Sequence, residues 1–386
     1  MKKKICFVIY NRSNYARLKP ILERIQKDSF FKLQIILTSS SVLNKYGNLQ
    51  KILKKDKFKI NYSFYSHIEG ENNLTMTKST SIIISELSTA FEKLKPDYVV
   101  TIGDRFETMA TGICCSFMNI FLIHIQGGEL TNSIDEKVRH SITKLSNLHF
   151  VCTKRSKKIV EQMGENKKNV YNVGCTSIDL IKKVNFRKKI NLDKYNYGIG
   201  YKVDLNKKYY VVLIHPNTLF YKQNLDLVKN TFEAALKLNN QIIWIWPNID
   251  AGSDLISKFI RIQREKNKNL KINFFTNLEA EDYLKLVKNS SCLIGNTSSG
   301  IRECSFLGIP FVNIGNRQDN REKSKNVFDA KVNAKDILRK IYEAEKYKSK
   351  LKQSNLYGAG SSSLKIIKIL KNIEASVYKK FQIRKI

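Results

Sequence analysis

Residues 124–140, HIQGGELTNSIDEKVRH, gather His124, Arg139 and His140 with Glu129, Asp135 and Glu136 around Gly127-Gly128. Acids and bases mixed this closely suit proton transfer, which needs two titratable groups held at set positions. Asp135 and Arg139 are four apart, as are Glu136 and His140, so two acid/base pairs fall on adjacent faces of one helix. The double glycine lets backbone approach a ligand closely. A helix start laced with ion pairs would explain the second half of the segment, but not His124, Gln126 or the glycines.

Five further polar segments each follow a short apolar run: NRSNY (11–15), GDRFE (103–107), HPN (215–217), NTSSG (296–300) and GNRQDNRE (315–322). Gly295 to Gly300 precedes a helix expected to start near Ile301, so its backbone N–H groups and the helix dipole can hold a phosphate, helped by the hydroxyls of Ser298 and Ser299. Arg12 and Arg321, each on its own loop, can add charge-assisted hydrogen bonds to a diphosphate. Glu303, one turn into that helix, would reach a ribose diol. His215 ends a strand just before Pro216 and is expected to face the same cleft. Neither a GxxxxGK[ST] nor a GxGxxG pattern is present, so ATP hydrolysis and NAD chemistry lose support. The seven cysteines form no CxxC pair, which argues against zinc or a disulfide framework. No metal and no redox cofactor is expected.

These segments need strands and helices to present them. Strands are expected at Ile5 to Tyr10, Gln34 to Leu37, Tyr98 to Ile102, Ile120 to His124 and Leu148 to Cys152. A second series covers Tyr209 to Ile214, Gln241 to Trp246, Lys271 to Phe274, Cys292 to Ile294 and Pro310 to Asn313. Between them lie helical patterns: Tyr15 to Gln26, Val42 to Lys54, Thr75 to Leu94 (stopped by Lys95-Pro96) and Asp135 to Leu145. A last helix is expected over Ser363 to Lys380. Alternation of this kind predicts an α/β fold of two Rossmann-like domains facing across a cleft. The domains are expected at 1–180 and 181–362, with 363–386 a C-terminal helix packing back on the first.

A chain of 386 residues that is 42% hydrophobic can bury two cores. The net charge of +34 raises a nucleic-acid reading, but lysine is spread over every segment and no interleaved aromatic motif stands out, so no nucleic-acid partner is expected. No apolar run is long and charge-free enough to span a bilayer, and no cleavage site follows the basic start, so a cytoplasmic protein without a membrane partner is expected.

Taken together, the polar segments resemble the hydrolysing UDP-N-acetylglucosamine 2-epimerases of sialic and legionaminic acid biosynthesis. The matching stretches are NRSNY, EGENNLTMTKS (69–79), KPDYVVTIGDRFE (95–107), HIQGGELTNSIDEKVRHSITKLS (124–146), GNTSSGIRE (295–303) and NIGNRQDNRE (313–322). The resemblance implies a GT-B fold, a UDP-sugar substrate and a homo-oligomer, dimer or tetramer. It implies catalytic or sugar-contacting roles for Asp104, Asp135, Glu136, Gln126, His215 and Arg139, with Arg105 and His140 beside the substrate. Arg12, Ser298, Ser299, Gly300, Glu303 and Arg321 would hold UDP. Two departures from the family pattern stand out: Gln126 and Ala16 occupy positions where many relatives have Glu and Ser, and Ser39-Ser40-Ser41 replaces a Gly-x-His. Both point to a variant sugar such as a 2,4-diacetamido-2,4,6-trideoxyhexose. The rival readings are a non-hydrolysing 2-epimerase and a GT-B glycosyltransferase sharing the same nucleotide site.

Overall fold

The computed structural model describes residues 2–196, 198–267 and 270–383. The first seven strands are β1 (Lys3–Ile9), β2 (Phe31–Leu37), β3 (Tyr62–Ser63), β4 (Tyr98–Ile102), β5 (Phe121–Ile125), β6 (Leu148–Val151) and β7 (Val170–Asn172). They form one parallel sheet in the order β3-β2-β1-β4-β5-β6-β7. The next seven are β8 (Ile199–Gly200), β9 (Tyr209–Leu213), β10 (Gln241–Ile245), β11 (Ile272–Phe275), β12 (Leu293–Gly295), β13 (Phe311–Ile314) and β14 (Val327–Ala330). They form a second sheet in the order β14-β13-β12-β9-β10-β11-β8, parallel except for the edge strand β8. Central strands such as Ile5–Ile9 and Tyr209–Leu213 are apolar without alternation because helices cover both faces.

Six helices follow the strands of the first lobe: α1 (Arg12–Gln26), α2 (Leu49–Lys55), α3 (Asn73–Leu94), α4 (Phe106–Phe117), α5 (Ile134–Leu145) and α6 (Lys154–Gln162). A seventh, α7 (Thr176–Lys183), lies between the lobes against α1 and α11. In the second lobe come α8 (Asn224–Leu236), α9 (Ser253–Lys266), α10 (Ala280–Asn289), α11 (Ser298–Leu307) and α12 (Ala334–Tyr347). Finally α13 (Ser362–Asn372) returns to the first lobe, where it packs against α1 and Ile366, Ile367 and Leu370 join the core. Among the described residues no helix is long and apolar enough to cross a membrane.

Several boundaries differ from the sequence expectation. The pattern expected as one helix over Val42 to Lys54 divides into short 3-10 turns at Ser39–Val42 and Asn44–Tyr46 and α2, which begins only at Leu49, capped by Asn48. Helix α1 begins at Arg12, because the Asn11 side chain accepts the Asn14 N–H at 2.8 Å and caps it; residues 12–15 are therefore helix and not loop. Helix α11 begins at Ser298, capped by Thr297, so Ser298 and Ser299 are its first turn and Glu303 sits in its second. The last helix ends at Asn372, where Ile373 turns extended and tertiary contacts take the tail along the first lobe. Helix α4 was hidden inside the apolar stretch 109–125, which the structure divides into a buried helix and β5.

Candidate active site

In each sheet the strand order reverses at one point, between β1 and β4 in the first and between β9 and β12 in the second. Ligands of open α/β sheets bind outside the carboxyl ends of such strands. The segments after β1, β4, β9 and β12 are Asn11-Arg12, Gly103-Asp104-Arg105, His215-Pro216 and Asn296 to Ser299, and all four reach one interlobe cavity of about 340 Å³. The first lobe contributes Arg12, Asp104, Arg105 and Asp135 to its wall, and the second contributes His215, Ser298, Ser299, Glu303 and Arg321.

Asp104 and Asp135 are the two first-lobe carboxylates on this wall, each with 19% of its side chain exposed. Burial disfavours charge on Asp104, but Arg139, donating from Nε at 3.0 Å and also from Nη2, together with Arg321 holds its carboxyl well below the usual range. On Asp135 burial prevails, the charge of Asp104 adds to it, and Arg317 at 3.3 Å offsets them only in part, so its pKa is raised. His215 is kept neutral by burial and by Arg317, Arg105 and Arg17. Its backbone N–H donates to Asn296 Oδ1 and its carbonyl accepts from Asn296 Nδ2, both at 2.8 Å, while the Asn248 N–H donates to Nδ1 at 3.4 Å. The proton of a neutral ring then belongs on Nε2.

Six arginines line the cavity: Arg12, Arg17, Arg105, Arg302, Arg317 and Arg321. Buried Nε atoms of Arg12, Arg302, Arg317 and Arg321, and Oε2 of Glu303, have no hydrogen-bond partner among the described residues. Buried polar atoms are normally satisfied, so such a set in one wall points to a polyanionic ligand with hydroxyl groups. The first turn of α11 adds the Ser298 and Ser299 hydroxyls, and Tyr283 fixes the latter with a hydrogen bond of 2.9 Å.

Five sequence-predicted residues do not line the cavity. Arg139 is fully buried and grips Asp104 from behind, also donating to Thr131 Oγ1 at 3.2 Å. Gln126, left-handed at φ 71°, lies beneath the wall; its Oε1 accepts from Arg302 at 3.1 Å and Arg17 at 3.3 Å, and its Nε2 donates to Cys175 Sγ at 3.3 Å. Glu136 accepts the Thr131 N–H and so braces the loop before α5. His140 is a turn further along α5, set back from the cavity. Gly300 packs α11 on β13: a Cβ there would lie 2.2 Å from the Phe311 ring.

Other participants were given no role from the sequence, Glu129 among them although it belongs to the 124–140 segment. Buried Glu129 pairs with Arg302 at 2.6 Å and Arg321 at 2.9 Å; burial opposes its charge, yet the arginines pull its pKa down to about 2. Asp250 takes an ion pair from Arg105, which also holds Glu107 at 3.0 Å and so ties the lobes together. Arg302 lies four residues after Ser298, a helical spacing that could have disclosed it; Arg17 fell within the expected helix from Tyr15, where nothing local set it apart from a surface arginine.

A family profile described as UDP-N-acetylglucosamine 2-epimerase matches residues 23–371. This chain belongs to that family. It is 36% identical over 349 residues to the GDP/UDP-N,N'-diacetylbacillosamine 2-epimerase (hydrolyzing) of Campylobacter jejuni, covering 90% of this chain and 89% of the relative. It is 33% identical to the UDP-N,N'-diacetylbacillosamine 2-epimerase (hydrolyzing) of Legionella pneumophila over 97% of both chains. A third relative, polysialic acid biosynthesis protein P7 of Escherichia coli, is 32% identical over 98% of this chain and 96% of its own. These relatives put the chain in the hydrolysing branch of the 2-epimerase family. Among solved structures, UDP-GlcNAc 2-epimerase of Neisseria meningitidis bound to UDP-GlcNAc superposes with a TM-score of 0.77 at 19% identity, covering 96% of this chain and 100% of that one. The Methanocaldococcus jannaschii UDP-GlcNAc 2-epimerase in complex with UDP-GlcNAc and UDP gives 0.79 at 19% identity, covering 95% and 99%. Both share the two-lobed GT-B fold.

Proposed function

We propose that this 2-epimerase converts a UDP-linked 2-acetamido hexose, UDP-N-acetylglucosamine or its 2,4-diacetamido-2,4,6-trideoxy analogue, to UDP and the free 2-epimeric sugar for nonulosonic acid biosynthesis. A cytoplasmic setting goes with that substrate class. The observation that carries the reading is the meeting of Asp104 and Asp135 from one lobe with His215 and the α11 N-terminus from the other in a single arginine-walled cavity. UDP sits with its phosphates at Ser298, Ser299, Arg12 and Arg321, and Glu303 takes the ribose diol.

In the first half-reaction the C1–O bond breaks, UDP leaves as an anion, and the C2 proton passes to a base, giving a C1=C2 glycal. The C2–H beside an amide nitrogen is barely acidic, so departure of UDP leads and positive charge builds on the ring. Asp104, held ionised by Arg139, stabilises that charge. Asp135, whose raised pKa suits it to gain and later lose a proton, is the base. In the second half water adds its hydroxyl to C1 while C2 takes the Nε2 proton of His215 from the opposite face; the water's own proton replaces it, so the ring ends neutral, and Asp135 returns the proton taken from C2 to solvent. Inversion at C2 needs groups on both faces, and the two lobes supply them.

Purified enzyme given the UDP-sugar in deuterated water should release UDP and a free 2-epimer carrying deuterium at C2. Asp104→Asn and Asp135→Asn should each lower kcat at least about 100-fold, the scale of a lost acid–base or charge-stabilising group. Near-normal turnover by both variants would discard the scheme. A UDP-linked epimer formed without UDP release would instead identify the non-hydrolysing reaction.

A further inference from the structure

Beyond Asn372, and beyond the end of the family match, the chain runs extended along the first lobe. Asn147 Nδ2 donates to the carbonyls of Ser376 at 3.3 Å and Val377 at 3.1 Å, and the Gln382 N–H donates to the Gly164 carbonyl at 2.9 Å. The Phe381 ring covers Gly164 so closely that a Cβ there would lie 2.5 Å away, and the Lys144 ammonium sits 4.6 Å from the centre of the same ring. Between these anchors Lys379 reaches the carboxyl end of α5. Its ammonium donates to the carbonyls of Thr143 at 3.0 Å, Lys144 at 2.7 Å and Ser146 at 2.5 Å. It also pairs with buried Glu165 at 2.7 Å, which His149 and Lys144 hold from other sides.

The last carbonyls of a helix lack partners within it and carry the negative end of its dipole, so an ammonium with three donors fits that end in both respects. Asp135 lies in the first turn of α5 and Arg139 at its middle, one turn before Thr143, and Arg139 in turn holds Asp104. A helix is stiff along its axis, rising 1.5 Å per residue, so displacement at Thr143 to Ser146 moves both groups together. We propose that the C-terminal strap is a positioning device for the active site, with Lys379 the residue through which it acts. By fixing one end of α5 it sets the depth of Asp135 and, through Arg139, of Asp104. Lys379 touches no substrate; it is a positioning residue, and the inference rests on the reading of Asp104 and Asp135 as the reacting carboxylates.

The test compares full-length enzyme with Lys379→Met, Lys379→Arg and a chain ending after residue 375, measuring kcat, KM and UDP affinity by calorimetry. Lys379→Met and the shortened chain should lose about tenfold or more in kcat, as expected of a small misplacement of reacting groups. UDP affinity should stay unchanged, since none of the residues proposed to hold the nucleotide (Arg12, Ser298, Ser299, Glu303 and Arg321) lies on α5, and Lys379→Arg should recover most of the activity. Wild-type kcat in Lys379→Met overturns the proposal, as does a parallel loss of kcat and UDP affinity, the mark of general loosening. Asp135→Asn run alongside keeps the two readings apart: if it is inactive while Lys379→Met is normal, the strap fails and the catalytic assignment stands.

Discussion

Asp104 and Asp135 are the same residue type in the same cavity, yet their carboxyls are displaced in opposite directions. The difference lies in their partners. Arg139 is itself buried with nowhere else to place its charge, so it forces Asp104 to stay ionised; Arg317 approaches Asp135 from the second lobe at 3.3 Å and only moderates a rise that burial and Asp104 create. Removing a cation near a carboxylate raises its pKa further. In Arg317→Ala, Asp135 would hold its proton at higher pH, and the acid limb of the kcat/KM profile should move upward, away from the ordinary aspartate value of about 3.9. A limb that stays in place would remove Asp135 from the base role.

At the scale of elements, the first turn of α11, proposed above to hold the phosphates, is positioned by very close packing of that helix on β13. Gly300 makes that approach possible, so Gly300→Ala should cost about 1–3 kcal/mol through overpacking against Phe311. Thermal unfolding should show the loss, and UDP affinity should weaken as Ser298 and Ser299 shift. Much of this layer was legible in the sequence. Tyr98–Ile102 has the expected bounds, and Asp104, Asp135 and His215 were findable because each follows a strong apolar strand or opens an amphipathic helix. The edge strands β3, β7, β8 and β14 were not, being two to four residues long with no periodicity to read. The roles of Glu129, Arg302 and Asp250 escaped for another reason: they come from partners more than a hundred residues away, and nothing local distinguishes a buried ion-pair member from a surface charge. Gln126 was singled out by comparison with a family pattern, yet its neighbours make it a bracket between two guanidinium groups beneath the cavity wall.

For the whole molecule, the lobes meet through polar bridges as well as through α7. Arg105–Asp250, Arg317–Asp135 and Arg302–Glu129 all cross the cleft, and the Gly252 N–H donates to the Glu71 carbonyl at 2.8 Å. The backbone passes from the first lobe to the second after α7 and comes back before α13, which packs against α1 and α7 with Ile366, Ile367 and Leu370 in the first-lobe core. Asp179 of α7 clasps the returning chain, accepting from the N–H groups of Ser362 at 2.9 Å and Ser363 at 2.7 Å. The molecule is thus joined like a mortise and tenon, its final helix driven into the half made first. A protease nick in the largely exposed stretch 185–191 should therefore leave one particle on size exclusion, parting into two fragments only in denaturant. During synthesis the same joint means that the amino-terminal half keeps a bare apolar slot until residues 362–372 have left the ribosome, long after that half itself has emerged.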